Sequence, residues 1–339
     1  MAPIVIDVMG SDHGLGVVVR GAAQLSVEQN PVSMLLVGDS EQIVSALRKT
    51  KYNPRYVRVV HASEYVKMDE SPKVLYSKKD TSLQVAAQLI KSGEGSALVS
   101  AGNTGAVVLA SAQAFNRLSG IRRAALAAVF PTELTHGPHK DPFSLILDVG
   151  ATLHVEAEDL VRFALMGSAY AEIVSRNPTP KVALLSNGSE EGKGAPEVVE
   201  AHRMLKDHKG IFFGGNIEGM DIPKGTADVV VCEGFLGNVV LKMLEGFFEV
   251  VQNITEDTFS KKKLWRAGRK MLSEPLDQIR SLIDWEQYGG VPILGLEHVV
   301  IKAHGRSRER AIRNSIKVAH KSIQGDLIEK IRTSLNAAL

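Results

Sequence analysis

Short apolar runs alternate with segments of helical length along most of this 339-residue chain. The runs are apolar throughout rather than at every second residue, which is typical of strands covered on both faces. Strands of this kind, when they are joined by helices, form a mainly parallel sheet between two helical layers. The alternation therefore predicts an α/β protein, and we expect residues 1–339 to form a single domain.

The predicted strands are rich in apolar and β-branched residues and end at glycine or polar turns. They cover residues 4–9, 34–37, 57–60, 97–99, 126–130, 143–149, 181–185, 211–213, 228–231 and 299–301. A polar loop with Pro131, Pro138 and Pro142 joins two of them and predicts that these two pair directly. Because open α/β sheets bind ligands outside the carboxyl ends of their strands, we expect the turns to share one rim and one site.

The turn SAGNTGA, residues 100–106, follows one of these strands and opens an Ala-rich helix. Backbone N–H groups at a helix start lack intrahelical partners and lie at the positive end of the helix dipole, so they favour an anion such as phosphate. A glycine turn with an Asn or Thr cap is the alternative. The phosphate-binding candidates are Ser100, Gly102, Asn103, Thr104 and Gly105.

Other turns combine glycines with amides, acids or cations. Their candidate residues are Asp12, Asp148, Asn187, Lys193, Asn216, Gly234, Gly237, Asn238, Lys302 and His304. Such groups can hold a small polyanion and polarise a carbonyl without a metal ion or a covalent intermediate. The sequence therefore predicts a reaction of phosphate that uses no cofactor and no metal.

Familiar nucleotide and metal motifs do not fit the sequence. Residues 187–194 resemble a P-loop, but Asn187 replaces its first glycine and Gly194 replaces its magnesium-binding Ser or Thr. The first turn lacks the GxGxxG spacing, and the sequence has neither HExxH nor GxSxG. We expect the single cysteine, Cys232, to be a buried strand residue. A net charge of +2 and few aromatic residues argue against nucleic-acid binding.

The alternating pattern ends near residue 238. A long apolar helix over 239–259, the basic run KKKLWRAGRK and a second helix predict a hairpin over residues 239–285 that projects from the sheet. Leu264 and Trp265 lie among the six cations of this run and suit the headgroup layer of an anionic membrane, although a solvated turn is the alternative. No apolar run reaches roughly 18 residues and no leader is evident, so we expect a cytoplasmic protein with peripheral membrane contact.

The sequence resembles the bacterial phosphate acyltransferases of phospholipid synthesis. The resemblance spans about residues 4–324 and rests on ten motifs in order, namely GSD, SPKVLYSKKDTSLQVA, VSAGNTGA, LDVGA, FALMGS, EEGKG, GNIEG, ADVVVCEGFLGNVVLK, YGGVPILGL and VIKAHG. It implies a homodimer with a Rossmann-like three-layer fold akin to isopropylmalate dehydrogenases and phosphate acetyltransferases. It further implies conversion of acyl-[acyl carrier protein] and inorganic phosphate to acyl phosphate, which passes to a membrane glycerol-3-phosphate acyltransferase.

The sequence departs from the family pattern in five respects. Ser11 replaces the second glycine of MGGD, and the proline that shortly follows that motif is missing. Thr152 replaces an asparagine, Glu233 replaces an aspartate and Ala124 replaces a proline. Three of these positions lie in turns of the predicted site, so the departures bear on individual contacts rather than on the resemblance as a whole.

The mechanistic hypothesis is direct attack of phosphate on the carrier-bound thioester. The turns at residues 100–105 and 234–238 hold phosphate, Lys193 neutralises its charge or the developing oxyanion, and His304 protonates the departing thiolate or orients phosphate. Each assignment has a structural alternative, since Lys193 could form a surface ion pair, His304 could pin a turn and Asp148 could cap a loop. Ser100 has no paired base in the sequence and is a poor candidate nucleophile.

An acidic carrier protein requires a basic docking surface. Candidate residues are Lys67, Lys73, Lys78, Lys79, Arg306, Arg308 and Arg310, although either group could be a solvated face. The apolar helix over 239–259 would find its cover at a dimer interface. Two other hypotheses stay open at this point, a metal- and NAD-dependent dehydrogenase of the related fold and a non-catalytic membrane adaptor.

Overall fold

The computed structural model describes residues 2–276 and 289–337. These residues contain eleven strands, β1 (Ile4–Asp7), β2 (Met34–Gly38), β3 (Val57–His61), β4 (Ala97–Ser100), β5 (Ala125–His136), β6 (Asp141–Leu147), β7 (Lys181–Leu185), β8 (Phe212–Ile217), β9 (Val229–Val231), β10 (Val291–Leu294) and β11 (Val299–Lys302). All of them join one sheet in the order β3-β2-β1-β4-β11-β10-β5-β6-β9-β7-β8.

Helices cover both faces of this sheet. They are α1 (Leu15–Ser26), α2 (Ser40–Arg48), α3 (Ser82–Lys91), α4 (Thr104–Ala114), α5 (Ala157–Tyr170), α6 (Pro196–Lys206), α7 (Gly234–Ser260), α8 (Lys263–Met271), α9 (Glu309–Gln324) and α10 (Leu327–Asn336). Side chains of α1, α5, α9 and α10 pack on one face, and those of α3, α4 and α7 on the other. Along β1, Ile4 and Ile6 enter the first core and Val5 the second. The predicted three-layer α/β sandwich is confirmed.

The sheet consists of two parallel sets that run in opposite directions. Strands β3, β2, β1, β4 and β11 form one set, and β6, β9, β7 and β8 form the other. Between the sets, β10 and β5 make three antiparallel pairings in succession. The carboxyl ends of the two sets therefore point in opposite directions, and the prediction that all glycine turns share one rim is wrong.

The two sets nevertheless end at the same level of the sheet. The register through β10 and β5 places Ile301 of β11 level with Leu147, the last residue of β6. The turns that follow β11 and β6 thus start near one junction and leave it in opposite directions. Loops from both halves can approach a ligand there only where they fold over the same face of the sheet.

The predicted direct pairing of the fifth and sixth strands is confirmed, with a shorter connection than expected. Ala127 pairs with Leu147, and the pairing extends to His136 and Asp141. Pro131 and Pro142 therefore belong to the strands, and only Pro138 lies in the connecting turn.

The predicted long apolar helix is α7, which begins at Gly234 and continues to Ser260. Its inner face packs on the sheet, where the Phe248 ring lies 5.8 Å from the Phe130 ring. Its outer face exposes a row of apolar side chains, namely Leu236, Val239, Met243, Phe247, Val250, Val251 and Ile254. The basic run is itself helical, because α8 begins at Lys263 after a break at Lys261 and Lys262. Most of the second predicted helix, residues 276–283, lies outside the described residues.

Candidate active site

The turns after β1, β4 and β11 meet at one place in the first half of the sheet. A Cβ atom added to Gly10 would lie 3.2 Å from the Gly102 Cα atom, so the first two turns touch. The Asp12 amide donates a hydrogen bond to the Gly305 carbonyl (3.1 Å), which joins the first and third turns. The structure therefore brings together eight predicted site residues, namely Asp12, Ser100, Gly102, Asn103, Thr104, Gly105, Lys302 and His304.

The start of α4 is the anion-binding feature of this group. The Asn103 side chain caps the helix, because its Oδ1 accepts from the Ala106 amide (3.0 Å). The first intrahelical bond runs from the Val107 amide to the Asn103 carbonyl (2.9 Å), so the Thr104 and Gly105 amides precede the ladder. These two amides lie at the positive end of the helix dipole. They are the groups best placed to bind a phosphate oxygen.

The Asn103 amide group is engaged with the neighbouring loop rather than with a ligand. Its Nδ2 donates to the Met68 carbonyl (2.9 Å) and to the Glu70 carbonyl (3.1 Å). Together with the cap, these bonds use the whole side chain. Asn103 thus shapes the turn, and it holds residues 68–70 against the start of α4.

Ser100 and Gly102 also act within the protein. The Ser100 hydroxyl is fully buried, donates to Asp7 Oδ2 (2.6 Å) and accepts from the Gly102 amide (3.1 Å). Both groups are therefore engaged within the protein, where they fix the conformation of the turn. Phosphate binding by Ser100 and Gly102 stays a prediction.

Lys302 is a buried cation beneath these turns. Its side chain is 4% exposed, and its Nζ donates to the Ala303 carbonyl. Burial lowers the pKa of Lys302 to about 8, and the carboxylates of Asp12 and Asp7 act in the opposite sense. At neutral pH the ammonium therefore stays charged and contributes a positive potential to the site.

His304 extends from the third turn toward α7. Its Nδ1 accepts from the Arg306 amide (3.1 Å), so hydrogen bonding assigns the proton of the neutral ring to Nε2. Desolvation, and then the positive charges of Lys302 and Lys242, lower the pKa of His304. Since Lys242 belongs to α7, the imidazole lies within electrostatic reach of the second half of the protein. A neutral ring with an Nε2 proton can donate to a leaving group.

Asp148, which the sequence predicts to be catalytic, is turned inward. The carboxylate is fully buried and accepts five hydrogen bonds, from the amides of Leu126, Gly150, Ala151 and Thr152 and from the Thr152 hydroxyl. Burial raises the pKa of Asp148, and these donors act in the opposite sense. The alternative reading, a carboxylate that caps its own loop, is the one that the geometry supports.

The start of α7 does not repeat the open arrangement of α4. The Glu233 carboxylate accepts from the Phe235 amide (3.2 Å) and the Leu236 amide (2.9 Å), and the Gly234 amide donates to Thr152 Oγ1 (3.0 Å). A Cβ atom on Gly237 would lie 1.9 Å from the Asp148 carbonyl oxygen. Gly234 and Gly237 thus allow close packing, and the structure argues against the predicted phosphate site at this turn.

The remaining candidates lie on the rim formed by the second set of strands. The exposed Asn238 side chain donates from Nδ2 to the Val149 carbonyl (3.0 Å) and so links α7 to the turn after β6. Asn216 is buried; its Oδ1 accepts from His202 Nδ1 (2.9 Å) and its Nδ2 donates to the Glu190 carbonyl (2.9 Å). It therefore anchors the exposed loop that carries Asn187 and Lys193. The described contacts do not bring these residues to His304.

Sequence reasoning missed Asp7, a buried carboxylate at the end of β1. The available signal was the polar last residue of three apolar runs, IVID, ALVS and VVIK. Direct strand pairing sets Asp7 beside Ser100 and Ser100 beside Lys302. Cys232 is buried as predicted, and burial raises the pKa of its thiol.

The fold is that of the phosphotransacylases. The chain is similar to a phosphotransacetylase from Streptococcus pyogenes, with a TM-score of 0.61 and 19% identity over 95% of this chain and 94% of that one. It is also similar to a branched-chain phosphotransacylase from Enterococcus faecalis V583, with a TM-score of 0.57 and 15% identity over 94% of this chain and 99% of that one. At these identities the likeness concerns the fold alone.

Sequence comparison identifies the family. A family model described as a fatty acid synthesis protein matches residues 2–330. The chain is 42% identical to the phosphate acyltransferase of Desulfitobacterium hafniense (strain Y51) over 99% of this chain and 98% of the relative. It is 39% identical to that of Dictyoglomus turgidum over 98% and 97%. The chain therefore belongs to the phosphate acyltransferase family and is an acyltransferase.

Proposed function

We propose that the enzyme transfers the acyl group of an acyl-[acyl carrier protein] to inorganic phosphate, which yields acyl phosphate and free carrier protein. The observation that carries the proposal is the open first turn of α4, where the Thr104 and Gly105 amides lie ahead of the helical ladder. Lys302 lies beneath the adjoining turn and adds positive potential where phosphate would bind.

The reaction needs one nucleophile, one electrophile and one proton donor. A phosphate oxygen attacks the thioester carbonyl carbon, the carbon–oxygen bond to phosphate forms and the carbon–sulfur bond breaks. The electron pair leaves with the sulfur, and the Nε2–H of His304 stabilises the departing thiolate by donating a hydrogen bond to it. The proton that monohydrogen phosphate loses as it becomes an acyl phosphate ends on the carrier thiol, so the imidazole stays neutral throughout. Lys193 remains a candidate for neutralising charge from the second half of the protein, and this requires its exposed loop to approach the junction.

The direct test is phosphate-dependent release of the carrier thiol from purified long-chain acyl-[acyl carrier protein], followed with a thiol reagent. We expect release that saturates with phosphate and needs neither NAD nor a metal ion. A dehydrogenase would instead require NAD, and a membrane adaptor would release no thiol. Either of those results would refute the proposal.

A matched pair of histidine variants tests whether His304 is the hydrogen-bond donor to the departing thiolate. His208 has the same local geometry as His304, since its Nδ1 accepts from the Gly210 amide (3.1 Å). We expect His304→Ala to lower kcat about 100-fold or more, as for the loss of a hydrogen-bond donor to charge that develops in the transition state. His208→Ala should retain the activity of the unmodified enzyme. Equal activity of the two variants would remove His304 from the mechanism.

The acidic carrier protein is proposed to dock beside these turns. Lys67, Lys73 and Lys79 are exposed on the loop that Asn103 holds, whereas Lys78 is half-buried and paired with Glu70 (3.0 Å). Arg306, Arg308 and Arg310 are exposed close to His304 in the chain. The first basic group lies on the loop next to the α4 start, and the second follows the turn that carries His304. Both groups suit an acidic partner.

The product is proposed to enter phosphatidic acid synthesis at a membrane. Among residues 2–276 and 289–337, no helix is long and apolar enough to cross a bilayer. The proposed contact is through α8, where Leu264 is 79% exposed and Lys262 lies 4.6 Å from the Trp265 ring. Acyl phosphate released there would reach a membrane glycerol-3-phosphate acyltransferase over a short path.

A homodimer is proposed from the outer face of α7. That face exposes apolar side chains over several helical turns, including Met243, Phe247 and Ile254. A helix that is apolar on two sides needs cover on both. A second copy of the chain could provide it, and light scattering at several protein concentrations tests the prediction.

A further inference from the structure

Three polar side chains form a row across adjacent strands beneath the α4 start. Asp7 of β1 pairs directly with Ser100 of β4, and Ser100 pairs directly with Lys302 of β11. Directly paired residues of parallel strands project from the same face of the sheet. All three are buried, with exposures of 1%, 0% and 4% in that order. An acid, a hydroxyl and a cation are thus aligned inside an otherwise apolar layer.

We propose that Asp7 is a positioning residue of the active site, which holds Ser100 and Lys302 in place and thereby fixes the phosphate-binding turn and the charge beneath it. The Asp7 carboxylate accepts from the Ser100 hydroxyl (2.6 Å) and from the Met9 amide (3.1 Å). The oriented hydroxyl then accepts from the Gly102 amide (3.1 Å). One carboxylate therefore organises the turns after β1 and β4.

Charge is the second part of the argument. A buried ammonium is costly unless an opposite charge lies near it. The carboxylates of Asp12 and, to a smaller extent, Asp7 favour the charged form of Lys302, and of the two only Asp7 is buried. The Lys302 charge in turn lowers the pKa of His304. Burial raises the pKa of Asp7, whereas the Ser100 and Ser82 side chains, the Met9 amide and, last, the Lys302 charge lower it. The two ends of the row stabilise each other's charged forms.

A thermal double-mutant cycle tests this pairing without any assay of activity. Asp7→Asn keeps the shape of the side chain and leaves Lys302 without its buried partner, whereas Lys302→Met leaves Asp7 alone. We expect each single variant to melt below the unmodified protein, and the double variant to melt above Asp7→Asn. If Asp7→Asn does not fold, recovery of folding in the double variant is the expected result. If the decrease in melting temperature of the double variant equals the sum of the decreases of the two single variants, the pairing is overturned.

The activity readout rests on the proposed function. In Asp7→Asn we expect the KM for phosphate to rise about tenfold. The fall of kcat/KM at alkaline pH should begin about one pH unit lower, because Lys302 loses its buried partner. Ser100→Ala should raise the same KM without moving the limb. Asp207→Asn, on an exposed residue at the end of α6, should change neither. Unaltered KM and pH profile in Asp7→Asn would overturn the inference.

An unmodified enzyme that releases no thiol would instead refute the proposed function. The thermal double-mutant cycle would still test the pairing of Asp7 with Lys302, because it does not depend on activity.

Discussion

Lys302 couples pH to activity and to stability in opposite senses. Burial lowers the pKa of Lys302 from its ordinary value of 10.5 to about 8. Between these values the unfolded chain binds more protons than the folded one, so the contribution of Lys302 to stability rises with pH, by up to about 3 kcal/mol. Over the same range the folded enzyme loses the cation beneath its phosphate-binding turn, so phosphate binding weakens as stability increases.

We therefore expect kcat/KM to fall as the pH rises through about 8, and the fall should be absent from a Lys302→Met variant. Unfolding by urea at a series of pH values provides the second measurement. From pH 8 to 10 the unfolding free energy of the unmodified protein should rise relative to that of Lys302→Met. If both kcat/KM and the unfolding free energy of the unmodified protein fall over this pH range, this assignment is contradicted.

Residue types were easier to predict than residue roles. The sequence indicates correctly that the turn at residues 100–105 opens a helix with an Asn at its start. It does not indicate that Ser100 and Asp148 point inward, because the same polar residue can face a ligand or cap its own loop. Burial and hydrogen-bond partners decide between the two roles, and both depend on strands distant in the sequence.

At the scale of elements, glycines within one helix serve different purposes. Gly237 and Gly246 both lie in α7. A Cβ atom on Gly237 would lie 1.9 Å from the Asp148 carbonyl oxygen, whereas one on Gly246 would have nothing within 4 Å. The Gly237→Ala substitution therefore tests close backbone packing, whereas the Gly246→Ala substitution tests helix propensity alone.

We expect Gly237→Ala to destabilise the protein by about 2 kcal/mol or more, since either α7 or the turn after β6 must move. Gly246→Ala should stabilise the protein by roughly 0.5–1 kcal/mol, the difference in helix propensity. Urea unfolding of both variants measures these changes. Equal effects at the two positions would show that α7 does not pack on the β6 turn as described.

The helical hairpin illustrates what periodicity can and cannot predict. The apolar stripe of α7 is visible in the sequence because helical spacing is local. The basic run was predicted as a tip between two helices, yet residues 263–271 are themselves helical. Lys and Arg are good helix formers, and a charged composition does not by itself mark a turn.

At the scale of the whole molecule, strand direction was the feature that the sequence could not show. Apolar strands separated by helices predict parallel neighbours, and this holds within each half of the sheet. Because β10 is antiparallel to both β11 and β5, those two strands run in the same direction, and the reversal between the sets falls at the β5–β6 hairpin. The hairpin itself is local, but the pairing of β10 with β5 that joins the two sets connects residues more than a hundred positions apart and leaves no local signal. The site was therefore predicted as one rim, whereas the structure divides its residues between two.

The proposed membrane contact concerns α8, which follows α7 directly in the chain and exposes Leu264. Burial of a Leu side chain contributes about 1.5–3 kcal/mol, and each cation near an anionic surface adds about 1 kcal/mol. We expect the Leu264→Ser/Trp265→Ser variant to lose most of its binding to vesicles that contain phosphatidylglycerol. The unmodified protein should also lose binding as salt is raised from about 50 to about 500 mM, because salt shortens the Debye length and screens the attraction between the α8 cations and the anionic lipid. Leu134→Ser, at an exposed position on the β5–β6 hairpin, is the matched control and should bind normally. Thiol release from acyl-[acyl carrier protein] in solution should be equal in all three proteins, because the α4 start is untouched. Vesicle binding that survives both the α8 substitutions and high salt would locate the membrane contact elsewhere on the molecule.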